Sequence, residues 1–382
     1  MAKKNNNNLT SAKKAKNDEF YTQYADIQAE VNAYLDFNPD LFRDKVVLCP
    51  CDDPEWSNFT KFFAQNFKRF GLKKFISTSY SKIPGQLGKI FWIDRDVNGD
   101  GKIDINDLQW DWLLGDGDFR SPEVTKIRDQ VDFVITNPPF SLFREFMDWI
   151  WAGPGLQFLV IGNMNAITYK EIFPKIKDNL MWTGNGFNLS LVYKTPYPNT
   201  LEANKKFVKS KGYDPDKGYV KVPAICWFTN IDHGRRHQPL QLMTAIVNLR
   251  LSKHDTIRDK TFEEAYPKYD NYDAINVDFT DAIPDDYEGV MGVPISFLDK
   301  YCPEQFEILG STQRGCHDSF PDTKKYNDYW ECKPDGSKTG SSGSKTNENA
   351  NILKNDGQKN YFINKEGRIV QSLYNRIFIR KK

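Results

Sequence analysis

Residues 131–143 read VDFVITNPPFSLF, and this stretch restricts the backbone more tightly than any other in the chain. Val131, Phe133, Val134 and Ile135 give a buried-strand signal, which two consecutive prolines then interrupt. Proline cannot donate to a strand ladder or continue a helix, so the chain must leave a sheet here in a rigid, extended turn. Such a turn offers two fixed acceptors, the side-chain amide oxygen of Asn137 and the carbonyl of Pro138. An amino group on a planar ring matches them, with one N–H for each acceptor and Phe140 to stack on the ring face. The chemistry indicated is transfer to an exocyclic amine. Its rival is an ordinary Asn-Pro turn after a parallel strand, so other segments must decide.

With 382 residues the chain can bury a large core and form two or three domains. Hydrophobic residues at 39% and aromatics at 14% place it among globular rather than disordered chains. No apolar run reaches the length of a membrane span, and the N-terminus carries no apolar signal-peptide core, so a cytoplasmic protein without a membrane partner is expected. Six scattered cysteines, of which only Cys49 and Cys51 lie close together, predict neither disulfides nor a structural zinc site.

A net charge of +1 means that any nucleic-acid surface must come from uneven distribution. Residues 1–17 are polar and Asn-rich, and Lys13, Lys14 and Lys16 make them a mobile basic arm with phosphate contact as one role and plain solvation as the other. Lys194, Lys205, Lys206, Lys209, Lys211, Lys217 and Lys221 crowd a segment that reads as loop-rich. Residues 337–350 are Gly, Ser, Thr and Asn-rich low complexity and read as a mobile loop.

Several segments look like the parts of a ligand pocket. Phe20-Tyr21-Thr22 precedes an amphipathic helix marked by Ile27, Val31 and Leu35, and its aromatics could staple that helix or cover a bound ring. A strand ending at Cys49 runs into Asp52-Asp53, at the end of a parallel strand where open α/β sheets bind ligands. No GxGxxG follows it, so a carboxylate meeting an amine or a ribose hydroxyl is expected instead of a phosphate cradle. In Gly115-Asp116-Gly117-Asp118-Phe119, two glycines permit close approach and Asp118-Phe119 pairs an acceptor with an aromatic face. Residues 96–107 match a calcium-loop pattern, with Asp96, Asn98, Asp100, Lys102 (through its carbonyl) and Asp107 as candidate ligands of Ca2+. A strand-like left flank makes an acidic hairpin the alternative.

The aromatic segment, the acidic strand end, GDGDF and NPPF, in that order, resemble amino-group methyltransferases that use S-adenosylmethionine. DEFYTQY, CDDP followed by SNF, GDGDFRS, TNPPFSLFRE, ITYKEIF, YPKYDNYDAINV and GVMGVPISFL, spanning residues 18–298, resemble more narrowly the EcoRI family of adenine-specific DNA methyltransferases. That resemblance implies an α/β fold with a Rossmann-like catalytic sheet over residues 18–232 and a target-recognition region over 233–382. It implies methyl transfer from S-adenosylmethionine to N6 of an adenine flipped out of double-stranded DNA, by a restriction-modification enzyme expected to be a monomer, with GAATTC as the target. Carried over by motif, Phe20, Tyr21, Thr22, Asp52, Asp118 and Phe119 hold the cofactor, and Asn137, Pro138, Pro139 and Phe140 form the catalytic turn. The strand ending in Ser79-Tyr80 lacks the acid that related enzymes use for the ribose, and Asp53 is its substitute. Arg235, Arg236 and Lys268 are candidate DNA contacts. The rivals are a methyltransferase acting on RNA or on a protein glutamine, and a catalytically silent DNA-binding protein.

Overall fold

The computed structural model describes residues 20–53, 55, 57–195, 202–312 and 323–382. The chain divides into two compact units, one running to Met164 and resuming over Met181–Gly234, the other formed by Asn165–Leu180 and Arg235–Lys382. The structure is mixed α/β. Among the described residues no helix is long and apolar enough to cross a membrane.

The first unit is built on one large mixed sheet. Its strands are β1 (Tyr21–Thr22), β2 (Val46–Cys49), β3 (Lys74–Ser79), β4 (Lys89–Ile93), β5 (Gln109–Trp112), β6 (Phe133–Thr136), β7 (Gln157–Asn163), β8 (Trp182–Thr183), β9 (Leu189–Lys194) and β10 (Tyr219–Thr229). They lie in the order β1-β9-β10-β7-β6-β2-β3-β4-β5, with β8 beside β10. The centre, β7-β6-β2-β3, is parallel. The strands added at either side are antiparallel.

Successive side chains point to opposite faces of the sheet, and in the central strands both sets are buried. Phe133, Ile135, Leu159, Ile161, Ile225 and Trp227 share a core with helix α1 (Tyr24–Phe37) and helix α2 (Asn58–Gln65). The intervening Phe158 and Phe228 meet Trp151 and Phe143 of helix α4 (Phe143–Trp151), which follows the short helix α3 (Pro122–Arg128). Helices therefore cover both sheet faces, and β2, β6 and β7 are apolar along most of their length. Ser57 starts α2 by accepting the Phe59 N–H at 3.0 Å, and Ser121 followed by Pro122 starts α3. The face under α1 and α2 is packed with phenylalanine: Phe63 stacks on Phe75 at 5.8 Å, and Phe42 meets Phe133 edge-on at 5.2 Å.

Chain order reverses between β2 and β6, since β2 leads through α2 to β3 on one side while β6 lies on the other. A crevice opens at such a point beyond the carboxyl ends of the strands. The loop carrying GDGDF returns there: Ser81 N–H donates to Asp116 O at 2.8 Å, and a Cβ on Gly117 would lie 2.1 Å from Ser79 O. Gly117 also has φ of +83°, so an L side chain would be both strained and obstructed.

The second unit carries two smaller sheets. One has the order β11 (Ile275–Asn276), β12 (Met291–Pro294), β19 (Arg376–Lys381), β13 (Phe306–Ser311). The other has the order β15 (Lys338–Ser342), β14 (Trp330–Cys332), β17 (Tyr361–Ile363), β18 (Ile369–Ser372), β16 (Asn351–Ile352). Asp270, almost fully buried, ties distant segments together by accepting from Lys324 at 2.8 Å, Tyr326 at 3.0 Å and Arg368 at 2.5 Å.

The low-complexity stretch 337–350 is ordered, contrary to the expectation of a mobile loop. Lys338–Ser342 pairs with β14, and the buried Glu331 on β14 gathers Thr339 at 2.8 Å and Lys345 at 2.9 Å. Gly343 fits against Tyr326 O so closely that no side chain could stand there. Small residues here serve close packing.

Gly117→Ala should lower stability by roughly 2–3 kcal/mol, since strain and overpacking act together. Gly115→Ala, two residues earlier and with nothing within 4 Å of its added Cβ, should change it by less than about 0.5 kcal/mol. Urea denaturation of both variants checks the contrast.

Candidate active site

Asp52 sits where β2, β3 and β6 end, and its surroundings hold the strand ends in register. Its carboxylate accepts the Ser57 hydroxyl at 2.7 Å and the Thr136 hydroxyl at 2.5 Å. Its backbone N–H donates to Thr78 O at 3.2 Å, and its carbonyl accepts from the Ser77 hydroxyl at 2.5 Å. Only 6% of Asp52 is exposed. Burial pushes its carboxyl up to about 6, against the opposing pull of the Thr136 and Ser57 hydrogen bonds. A buried acid raised in this way favours a cationic neighbour, which would return it to the ionised form.

The Asn137 side chain follows directly from Thr136 and is only half-buried, but its amide is fixed. Nδ2 donates to the Phe20 carbonyl at 2.5 Å. A carbonyl cannot donate, so this contact sets the amide orientation and turns Oδ1 the other way. Oδ1 is buried and has no hydrogen-bond partner among the described residues. A buried acceptor left unmatched costs about 1–3 kcal/mol, which marks a place where a donor is meant to arrive. Pro139 O accepts from Leu142 N–H at 2.9 Å, closing the turn that leads into α4. Pro138 is buried beneath it.

Phe140 stays partly exposed and stacks on Phe20, with ring centroids 5.9 Å apart and planes at 23°. Phe20 in turn meets Tyr193 edge-on at 6.0 Å. Tyr21 and Thr22 are held as β1 against Lys194 and Tyr193 of β9, and Thr22 O accepts from Asn58 Nδ2 at 2.7 Å. The structure thus brings Phe20, Tyr21, Thr22, Asn137 and Phe140 into one cluster at the carboxyl ends of β2 and β6, with Asp52 bonded to Thr136 beside it.

Asp53 lies next in sequence, with its carboxylate accepting from Glu55 N–H at 2.9 Å and its carbonyl from Ser57 N–H at 2.7 Å. Asp118 is held below the usual carboxylate value, first by its hydrogen bonds to Arg120, which approaches to 2.6 Å. Phe119 is buried at 4% exposure, edge-on to Phe146 at 5.1 Å and Trp149 at 5.6 Å. Most of its ring is therefore core, and Asp118 is the member of the pair that borders the loop surface.

The calcium reading is corrected. Asp96 caps Gly99 N–H at 2.6 Å and Gly101 N–H at 2.8 Å, Asn98 caps Asp100 N–H, and Asp100 caps Lys102 N–H, both at 2.8 Å. Asp107, 1% exposed, accepts from Val97 N–H and Asp104 N–H at 2.9 Å. The side chains close the loop on its own backbone, and among the described residues no group of three or more His, Cys, Asp or Glu is gathered for a metal.

Of the basic candidates, Lys13, Lys14 and Lys16 lie outside the described residues. Arg236 is 7% exposed and hydrogen-bonded to Asn179, and Arg235 pairs with Asp299 at 2.7 Å. Arg236 is thereby withdrawn from solvent. Lys268 is exposed. Sequence reasoning missed the roles of Thr136 and Tyr193, which arise from contacts across the sheet, and of Ser57, whose one local signal is its place as the N-cap that opens SNF.

An α/β protein with an unmatched amide acceptor, a stacking ring and a buried acid at one switch point has the equipment of an enzyme that handles a planar amine. The family model described as adenine-specific methyltransferase EcoRI matches residues 8–382, and the chain belongs to that family. It is 42% identical over 310 residues to the type II methyltransferase M.EcoRI of Escherichia coli, which covers 79% of this chain and 88% of that protein. It is 40% identical over 300 residues to the type II methyltransferase M.MpnI of Mycoplasma pneumoniae, covering 78% and 83%. No solved structure matches the chain.

Asp52 holds its proton more tightly in the folded protein than in the unfolded chain, whose carboxyl titrates near 3.8. Between about pH 4 and 6 the folded state binds more protons, so this group withdraws stability as pH rises through that window. Relative to Asp52→Asn, the protein should lose on the order of 2–3 kcal/mol from pH 4 to pH 7. Parallel urea titrations across that range check the sign and the size.

Proposed function

We propose that this family member transfers a methyl group from S-adenosylmethionine to N6 of an adenine turned out of double-stranded DNA, as a cytoplasmic monomer of a restriction-modification system. The observation that carries the reading is Asn137 Oδ1, buried, unmatched and aimed by the Phe20 carbonyl. The mixed sheet of the first unit is the Rossmann-like catalytic sheet of residues 18–232. Residues 233–382 are the target-recognition region, where Lys268 remains exposed for DNA, while Lys13, Lys14 and Lys16 of the 1–17 arm meet phosphate.

The residues present suit the cofactor. Asp52, buried and raised by burial, would face its cationic methionine end, and Phe20, Tyr21 and Thr22 would line its path. Asp118 would accept from its adenine amino group, and Asp53 would serve the ribose hydroxyls. S-adenosylmethionine supplies an activated sulfonium methyl.

The chain does the rest by positioning. An adenine amino group is a poor nucleophile because its lone pair is delocalised into the ring. Asn137 Oδ1 and the Pro138 carbonyl each accept one N–H, which favours the pyramidal nitrogen of the transition state. Pro138 and Pro139 fix φ, so these acceptors need no reorganisation. Phe140 offers its face to the base, offsetting part of the few kcal/mol of unstacking.

Asn137→Ala should lower kcat by about 100-fold or more while leaving the affinities for DNA and cofactor within about threefold. Labelled methyl transfer to a GAATTC duplex, with mapping of the modified base, checks both the mutant and the reading. Label appearing on RNA or on protein glutamine alone would replace it, and a protein that binds DNA without transferring label would be the silent rival.

A further inference from the structure

Residues 202–218 of the lysine-rich segment, which lead into β10, form a helix and a turn that carry a basic strip. Helix α5 (Glu202–Ser210) packs on β10 through Val208, which is fully buried. The chain then turns at Asp214–Lys217, where Asp214 caps Asp216 N–H at 3.0 Å. Thr195 N–H donates to Gly218 O at 2.9 Å, which closes the strip against the end of β9. Lys211 and Lys221 bring their ammonium groups over the Phe207 ring, at 5.8 and 4.5 Å from its centroid. These contacts hold the positive charges together on an ordered surface.

Residues 194–221 contain seven lysines and three acids, in a chain whose net charge is only +1. Glu202 pairs with Lys205 at 3.0 Å. Lys206, Lys209 and Lys217 are exposed, and no ion pair engages them among the described residues. Crowding like charges opposes folding, so an uncompensated cluster points to an anionic partner.

The strip's position says which partner. Lys194 stands opposite Tyr21 on one side and Tyr219 on the other. Its neighbour Tyr193 touches Phe20, whose carbonyl holds the Asn137 amide. The Lys194 end of this segment, joined to the turn at Lys217 through the Thr195–Gly218 hydrogen bond, therefore lies a few contacts from the amide acceptor proposed to receive the base. A base turned out of a duplex leaves its own sugar-phosphate strand at the mouth of the pocket, and that strand must be held while the base is bound.

We propose that Lys206, Lys209 and Lys217 form a phosphate-binding strip for the DNA strand carrying the target adenine. This assignment rests on the DNA methyltransferase reading above. It adds a backbone clamp within the first unit, separate from whatever reads the sequence. Exposed lysines act here as point charges, so their contribution is sequence-independent and sensitive to salt.

The test is the triple variant Lys206→Gln, Lys209→Gln, Lys217→Gln of the full chain, assayed on the duplex that the wild type methylates. Each side chain is exposed and the charges repel one another, so thermal melting should match or slightly exceed the wild type. The slope of log Kd against log salt should fall by about 2–3, near 0.9 for each phosphate that is no longer neutralised. At about 150 mM salt the KM for duplex should rise about tenfold or more, with the change in KM and not in kcat. Lys68→Gln with Lys73→Gln, near the amino end of β3, should leave the slope unchanged. An unchanged slope and KM in the triple variant, in an enzyme whose wild type is active on the duplex, overturns the strip alone. A wild type that methylates no duplex overturns the functional reading and the strip with it.

Discussion

The bond from the Thr136 hydroxyl to the Asp52 carboxylate holds together the two strand ends from which the site is made. β2 and β6 are parallel neighbours whose chain directions part at this point, so no backbone ladder continues past Leu48 and Val134 to keep their tips together. A buried acid receiving one hydroxyl from β6 and one from the cap of α2 supplies the missing tie. Asn137 is the next residue after Thr136. Any slackening of that tie would move the amide directly.

The site is consequently made of contacts between segments far apart in the chain. Phe20 lies 117 residues before Asn137, and yet its carbonyl determines which end of the amide faces outward. β1 is held in place by β9, and β9 by β10, so the antiparallel side of the sheet serves to deliver two aromatic rings to the catalytic turn. Hydrogen bonds at β2 and β6 and ring contacts from Phe20 and Tyr193 converge at the carboxyl ends of β2 and β6. Asn137 Oδ1, a buried acceptor without a partner among the described residues, is the part proposed for a substrate.

Much of this was legible in the chain, for reasons that differ by residue. The double proline after Val131–Thr136 fixes local backbone, and local constraints can be read from local sequence. The same holds for the strand ending at Cys49 and for the helix marked by Ile27, Val31 and Leu35. The calcium pattern misled because Asp and Asn at alternate positions satisfy two structures equally well: ligands around an ion, or side chains capping their own loop N–H groups. The low-complexity stretch 337–350 misled for a related reason. Small polar residues signal disorder when nothing packs on them, and they signal close approach when Glu331 and Tyr326 do.

The sequence by itself determined the strand-to-turn geometry of NPPF, the acceptor chemistry of Asn137 and Pro138, the acidic end of β2 and the family to which these motifs belong. Each depends on covalent geometry or on neighbours within a few residues. Tertiary structure alone decided that Phe119 is mainly core, that Arg236 is buried, that burial raises the Asp52 carboxyl to about 6, and that Asn137 Oδ1 lacks a partner among the described residues. Burial, electrostatic environment and hydrogen-bond satisfaction depend on which distant segments meet, and the order of residues along a chain does not state that.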